Sequence, residues 1–286
     1  MKKLLKLVFF RLRKEKAPWI ELSIAIAFGL IYGAVYAYIA SLSSGSDSVV
    51  NIRSTILGTF SPSYNIPTAL AVAGSVAFFH TEINYGTLRN QITSGYSRKQ
   101  IFISYWIGVL ALSFMIMLGF TAANLLVSAW FIPVGFTASN VGPFFMSIGF
   151  GVLQTVAIIT LAYFLTHLMK SPAWPILIVI LLGASSVIAD MLAQMIFFGV
   201  SPNATADDLN TFFSILVFLP NSQSAAITSG SYGIFTDGLF FANLTANPTG
   251  ADYTANYVFA ILLENLVVLA GSFFGGFFYF DRHDLK

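Results

Sequence analysis

The 286-residue chain contains no cysteine. Disulfide staples, thiolate-bound zinc, iron–sulfur clusters and thiol nucleophiles are therefore excluded. Charge is nearly as scarce: 9% of residues are Asp, Glu, Lys or Arg, against roughly 25% in ordinary globular chains. Between Gln100 and Met169, a run of 70 residues, there is none at all. A soluble domain needs polar residues wherever an element meets water. A bilayer core selects the opposite, because a charge at its centre costs about 3 kcal/mol. The run is long enough for two crossings at ~20 residues each. What remains is apolar: 57% hydrophobic residues and a mean hydropathy of +0.79. The composition describes one integral membrane domain, all-α, with no room for an added soluble enzyme domain of ordinary size.

Other absences narrow the function. No Gly-rich phosphate loop is present, so no ATPase site is expected on this chain. No Ser-His-Asp set and no metal-ligand spacing can be proposed. No nucleic-acid signature appears. His80 and His167 fall near the inner ends of spans and read as interfacial residues.

The basic residues are unevenly placed. Seven of fourteen lie within residues 1–16: Lys2, Lys3, Lys6, Arg11, Arg13, Lys14 and Lys16. At the helical period Leu4, Leu5, Val8, Phe9 and Leu12 share one face, with Lys2, Lys3, Lys6, Arg13 and Lys14 on the other. Such a helix lies in the headgroup plane rather than crossing the bilayer. A signal peptide is the alternative, but the next apolar stretch is too long for one and lacks a cleavage pattern.

Six crossings follow, at about 19–40, 66–80, 101–131, 143–168, 173–200 and 257–280. With the N-terminus in the cytoplasm, thirteen of the fourteen basic residues fall inside and only Arg53 outside. Asp47, Asp207, Asp208, Asp237 and Asp252 fall outside. The positive-inside rule thus places both termini in the cytoplasm. The outer segment 201–256 is too long for a connector, and its short apolar stretches suit re-entrant or surface helices.

Between spans two and three the inner turn is polar yet ordered. Its residues 82–95 read as a short helix closed by Gly95, with Glu82 in the first turn, where the dipole favours a carboxylate. Ser97 and Gln100 form a capping box opening span three. Within the spans, Glu264 and Asp190 sit at similar depth, roughly 12–15 Å below the outer boundary at ~1.5 Å rise per residue. They are candidates for a substrate path, or else structural groups bonded within the bundle. Glu21, near the inner end of span one, reads as structural. Gly29-x-x-x-Gly33 and Gly271-x-x-x-Gly275 offer close helix packing.

The turn carries Glu82-x-x-x-Gly86-Thr87-Leu88-Arg89-Asn90 and then Gly95-Tyr96-Ser97-Arg98. With the basic amino-terminal helix, six spans and a short tail, Phe280 to Lys286, this resembles the membrane subunits of ABC-2 type exporters. The resemblance implies that the turn is a coupling helix docking on a separate cytoplasmic ABC ATPase, with Glu82, Tyr85, Gly86, Thr87, Leu88, Arg89, Asn90, Gly95 and Arg98 as coupling residues. It implies a second permease subunit, identical or paralogous, in a bacterial plasma membrane. ATP and Mg would bind to the ATPase, and this chain would hold no cofactor. The cargo implied is an amphipathic peptide, such as a bacteriocin or lantibiotic, or a hydrophobic drug. Two other classes stay open: a proton-coupled secondary transporter using Asp190 and Glu264, and a membrane anchor or sensor that recruits an ATPase. No internal repeat of the kind common in secondary transporters is evident.

Overall fold

The computed structural model describes residues 1–43, 50–51, 66–131, 134–135, 141–169, 171–200 and 251–282. Among them the chain is helical: α1 (Lys2–Lys14), α2 (Lys16–Ser43), α3 (Ile66–Asn84), α4 (Thr87–Thr93), α5 (Arg98–Phe131), α6 (Val141–Leu168), α7 (Ala173–Val200) and α8 (Ala251–Arg282). A two-residue parallel pairing, Val50–Asn51 with Val134–Gly135, joins the loops that follow α2 and α5. Five helices, α2, α3, α5, α6 and α8, contain segments long and apolar enough to cross a membrane. Helix α7 spans 28 residues, with a shorter apolar stretch at Ala173–Ala189. The outer segment expected at 201–256 lies outside the described residues as far as 250; from Ala251 onward the chain is already in α8.

Helix α5 is the hub. It packs against α1, α2, α3, α6 and α8. Its buried residues Phe102, Tyr105, Val109, Leu112, Ile116, Phe120 and Ala123 recur every three or four positions, and buried positions elsewhere around the helix meet the other neighbours. An all-round apolar surface of this kind suits a helix enclosed by others.

Glycine sets how closely the helices approach. A Cβ on Gly29 would lie 2.5 Å from the Phe120 carbonyl oxygen, and one on Gly33 2.8 Å from that of Asn124. This pair therefore lets α2 rest on the backbone of α5. The second pair does not behave alike. Gly271 faces nothing within 4 Å, and Gly275 meets the Phe164 ring only at ordinary contact distance, 3.4 Å.

Polar ties cross the core. Trp106 Nε1 donates to Thr160 Oγ1 (3.0 Å), and Tyr163 Oη donates to the Phe102 carbonyl (3.0 Å), binding α5 to α6. The Ser75 and Ser113 hydroxyls pair, binding α3 to α5. At one end of the bundle Phe102 lies within about 6 Å, centroid to centroid, of Tyr163, His167, Phe273, Phe277 and Phe280. His167 is thus part of an aromatic cluster, its Nδ1 2.8 Å from the Tyr163 carbonyl. His80 is buried. Both side chains fall on faces that look into the bundle.

Helix α1 also differs from a helix floating on lipid. Leu4, Val8 and Leu12 are buried, with Val8 pressed against Gly108 of α5. The Leu4, Val8 and Leu12 part of the apolar stripe is spent on protein, while Phe9 of the same face, with Leu7 and Phe10, stays exposed.

Candidate functional site

The residues of the turn gather where α1, α3, α4 and α5 meet. Glu82 is not in the first turn of the short helix as expected. Helix α3 continues to Asn84, so Glu82 occupies its last turn, on the buried face that also holds Ser75 and Phe79. Gly86 then breaks the helix with φ +66°. Its added Cβ would touch nothing within 4 Å, so the backbone conformation alone asks for glycine there. Helix α4 follows and ends in a Schellman motif. The Tyr96 N–H donates to the Gln91 carbonyl (3.2 Å) and the Gly95 N–H to that of Ile92 (2.9 Å), with Gly95 at φ +89°. Half of the expected capping box is made: the Gln100 N–H donates to Ser97 Oγ at 3.3 Å.

Glu82 is the centre of the cluster and is 1% exposed. Its Oε2 forms an ion pair with Arg11 Nη1 of α1. Tyr105 Oη of α5 donates to the same oxygen at 2.9 Å, and Gln91 Nε2 of α4 donates to Tyr105 Oη at 2.8 Å. Thr87 Oγ1 lies 2.8 Å from the Glu82 carbonyl oxygen and 2.5 Å from Oε2. One carboxylate therefore binds four helices. Removing Arg11 is the expensive way to break this pair, at about 3–5 kcal/mol, because it leaves the buried Glu82 carboxylate uncompensated. Loss of hydration works against the Arg11 guanidinium, but the Glu82 contacts win and hold it above its ordinary value. Burial pushes the neighbouring Glu15 carboxyl up, and the negative charge of Glu82 adds to that.

Arg11, Gln91 and Tyr105 were not among the expected site residues. A signal for Arg11 was present. It sits seven residues after Leu4 and three after Val8, so it is a cation on the apolar stripe of α1, and such a cation requires a carboxylate inside the fold. Glu82 repeats the pattern on α3, seven residues after Ser75.

The other expected coupling residues divide by face. Leu88 is buried, whereas Tyr85 is 77% exposed and Arg89 and Asn90 are exposed too. Arg98 turns to the end of α8, its Nη1 donating to the Asp281 carbonyl at 3.4 Å. Lys99 Nζ lies 3.8 Å from the Asp281 carboxylate and 5.5 Å from the Phe277 ring centre. The intramembrane candidates are not brought into this cluster. Glu264 is half-buried on α8; Asp190 is on α7, with its side chain outside the described residues. Both helices pack on α6. Glu21 on α2 turns into the bundle: its buried Oε2 stands 2.5 Å from where a Cβ on Gly74 of α3 would be. No group of three or more His, Asp or Glu residues suited to a metal ion occurs among the described residues.

A polytopic helical bundle with a short polar helix braced at one end is the architecture of a membrane transport subunit. The profile of the ABC-2 family transporter proteins matches residues 4–186. That is well over half of the chain, and it spans α1 through the first half of α7, including the Glu82 cluster. The protein belongs to that family and is a multi-pass membrane component of an ABC transporter, a class that works with an ATPase. Searches of curated proteins and of solved structures found no match.

Proposed function

We propose that the chain is the permease subunit of an ATP-driven exporter in a bacterial plasma membrane, and that α4 is the helix on which a separate cytoplasmic ATPase acts. The observation that carries this is the bracing of α4. A seven-residue helix is too short to be stable alone, yet Leu88 and Gln91 anchor it to the core and the Glu82 cluster links it to α1, α3 and α5. Force applied to its exposed face would pass to three other helices. A plain connector would need none of these contacts.

In this reading both termini and α4 face the cytoplasm, as the distribution of basic residues supports. ATP and Mg bind to the ATPase, and this chain supplies the path together with a second permease subunit. The cargo class, amphipathic peptides or hydrophobic drugs, follows from family likeness. Asp190 and Glu264 would be the carboxylates that meet a cationic part of such a cargo.

Co-purification of the ATPase, with cargo export counted per ATP hydrolysed, tests the coupling role. Arg89→Glu should reduce ATPase association while the subunit remains inserted. Retained association and full export would reduce α4 to a connector. Asp190→Asn with Glu264→Gln should lower export while assembly and basal ATPase activity survive. Unchanged export would remove both from the path.

A further inference from the structure

The chain turns sharply between α1 and α2. Glu15, at the corner, has extended backbone, with φ −72° and ψ 145°, and Trp19 Nε1 pins the corner by donating to the Arg13 carbonyl at 3.0 Å. Beside it is an open cleft of about 570 Å³. Its upper rim carries Lys14, the last residue of α1, and Lys16, the first of α2. Its wall descends through Trp19, Ile20 and Ile24 along the first membrane span.

We infer that this cleft binds one anionic phospholipid, its phosphate held between Lys14 and Lys16 and an acyl chain lying along Ile20 and Ile24. Three observations carry the inference. Lys14 and Lys16 both line the cleft, one residue to each side of Glu15 at a corner pinned by the indole hydrogen bond. The apolar wall is exposed, at 57% for Ile20 and 42% for Ile24, and it begins at the depth where Trp and Lys commonly mark the headgroup level. The order cation, indole, aliphatic matches the order headgroup, interface, chain in a lipid. Glu15 also borders the cleft, and its carboxyl interacts with Glu82 and Arg11 on the other side of the corner. A lipid seated there would touch the residue next to the Glu82 cluster, so lipid occupancy would bear on the brace that holds α4. The inference does not depend on the direction of transport or on the cargo.

The test is native mass spectrometry of the full chain in detergent. Phosphatidylglycerol and phosphatidylcholine of equal chain length are titrated separately, and inorganic phosphate is added in a third arm. Phosphatidylglycerol should be retained on the order of tenfold more tightly than phosphatidylcholine, from the attraction of two lysines for an anionic headgroup, and phosphate should not displace it. Lys14→Gln with Lys16→Gln should abolish the preference, whereas Lys2→Gln with Lys3→Gln, an equal charge change on exposed residues of α1, should leave it intact. The proposal is overturned if the first pair keeps the preference, or if the second pair loses it as well, since either makes the attraction diffuse. Displacement by phosphate would also overturn it, by showing a phosphate site without a role for the chain.

Discussion

On its inner face α4 presents Leu88, Gln91 and Ile92 to the hydrophobic core and to Tyr105. On its outer side, with the turn before it, stand Tyr85, Arg89, Asn90 and Thr93, all exposed. Seven helical residues thus serve two requirements. The inner face is read by this chain's own core, through the burial of Leu88 and the Gln91 hydrogen bond to Tyr105. The outer face presents its side chains to solvent, and a large aromatic ring left 77% exposed there is more than a solvated turn requires. The difference separates bracing from contact, and each can be broken without the other.

The bracing side should give the largest effects. Arg11→Ala leaves the buried Glu82 carboxylate unpaired and should cost about 3–5 kcal/mol; Glu82→Ala should cost less, because the Arg11 side chain is 26% exposed and can turn to water. The readout is the thermal unfolding midpoint in detergent together with membrane yield. Arg11→Met combined with Glu82→Gln should recover much of the loss, because neither member then buries an orphan charge. A double replacement as damaging as the sum of the singles would show that the two act independently. Leu88→Ala should follow, at about 2–5 kcal/mol for a buried leucine truncated to a cavity. If that variant unfolds like the parent, α4 is not anchored by its inner face.

The sequence reveals this division only in part. The spans are legible because a bilayer permits few alternatives to an apolar helix, and the C-terminal end of α4 because Gly95 is a local signal read over a few residues; its start is not, since Glu82 belongs to α3 and α4 begins only at Thr87. The close packing at Gly29 and Gly33 is legible as a motif, yet the same motif at Gly271 and Gly275 lies where no backbone approaches. Periodicity alone cannot see the neighbour. The same limit hid the Glu82 cluster. Its members are spread over residues 11 to 105, and pairing across 71 positions between Arg11 and Glu82 depends on how α1 folds back on α5. The apolar stripe of α1 was visible, but sequence cannot tell a lipid surface from a protein one as its counterpart, since both are apolar.

Smaller effects sharpen the picture. Gly86→Ala meets no steric neighbour, so its cost should be only that of placing an L-residue in the left-handed region, about 1–2 kcal/mol. A much larger loss in unfolding midpoint would point to a contact at Gly86 not made by the backbone conformation. Glu15 gives a pH signature. Its folded-state proton affinity is raised, so the folded protein keeps that proton at pH values where the unfolded chain has released it. Stability therefore falls as pH rises from the ordinary carboxyl range through the raised value. Glu15→Gln should flatten that part of the profile of unfolding midpoint against pH, and an unchanged slope would assign it to another group.

The outer face should give the smallest change in stability and the clearest change in function. Tyr85→Ala with Arg89→Glu alters two exposed side chains and no part of the Glu82 cluster, so the unfolding midpoint should correspond to less than about 0.5 kcal/mol of change. Binding is another matter. Exposed aromatic and arginine side chains are the types that most often dominate a protein interface, and reversing a charge adds repulsion where attraction steered the partner. We therefore expect the variant to insert and fold like the parent while losing co-purification of the ATPase, or retaining it with fewer cargo molecules exported per ATP. Truncating Leu88 in the same assay should lower both together, since it removes the support rather than the contact. If Tyr85 and Arg89 substitutions reduce stability as much as Leu88→Ala, the two faces are not separable. If they leave both stability and association intact, the partner is engaged elsewhere and the exposed ring of Tyr85 needs another occupant.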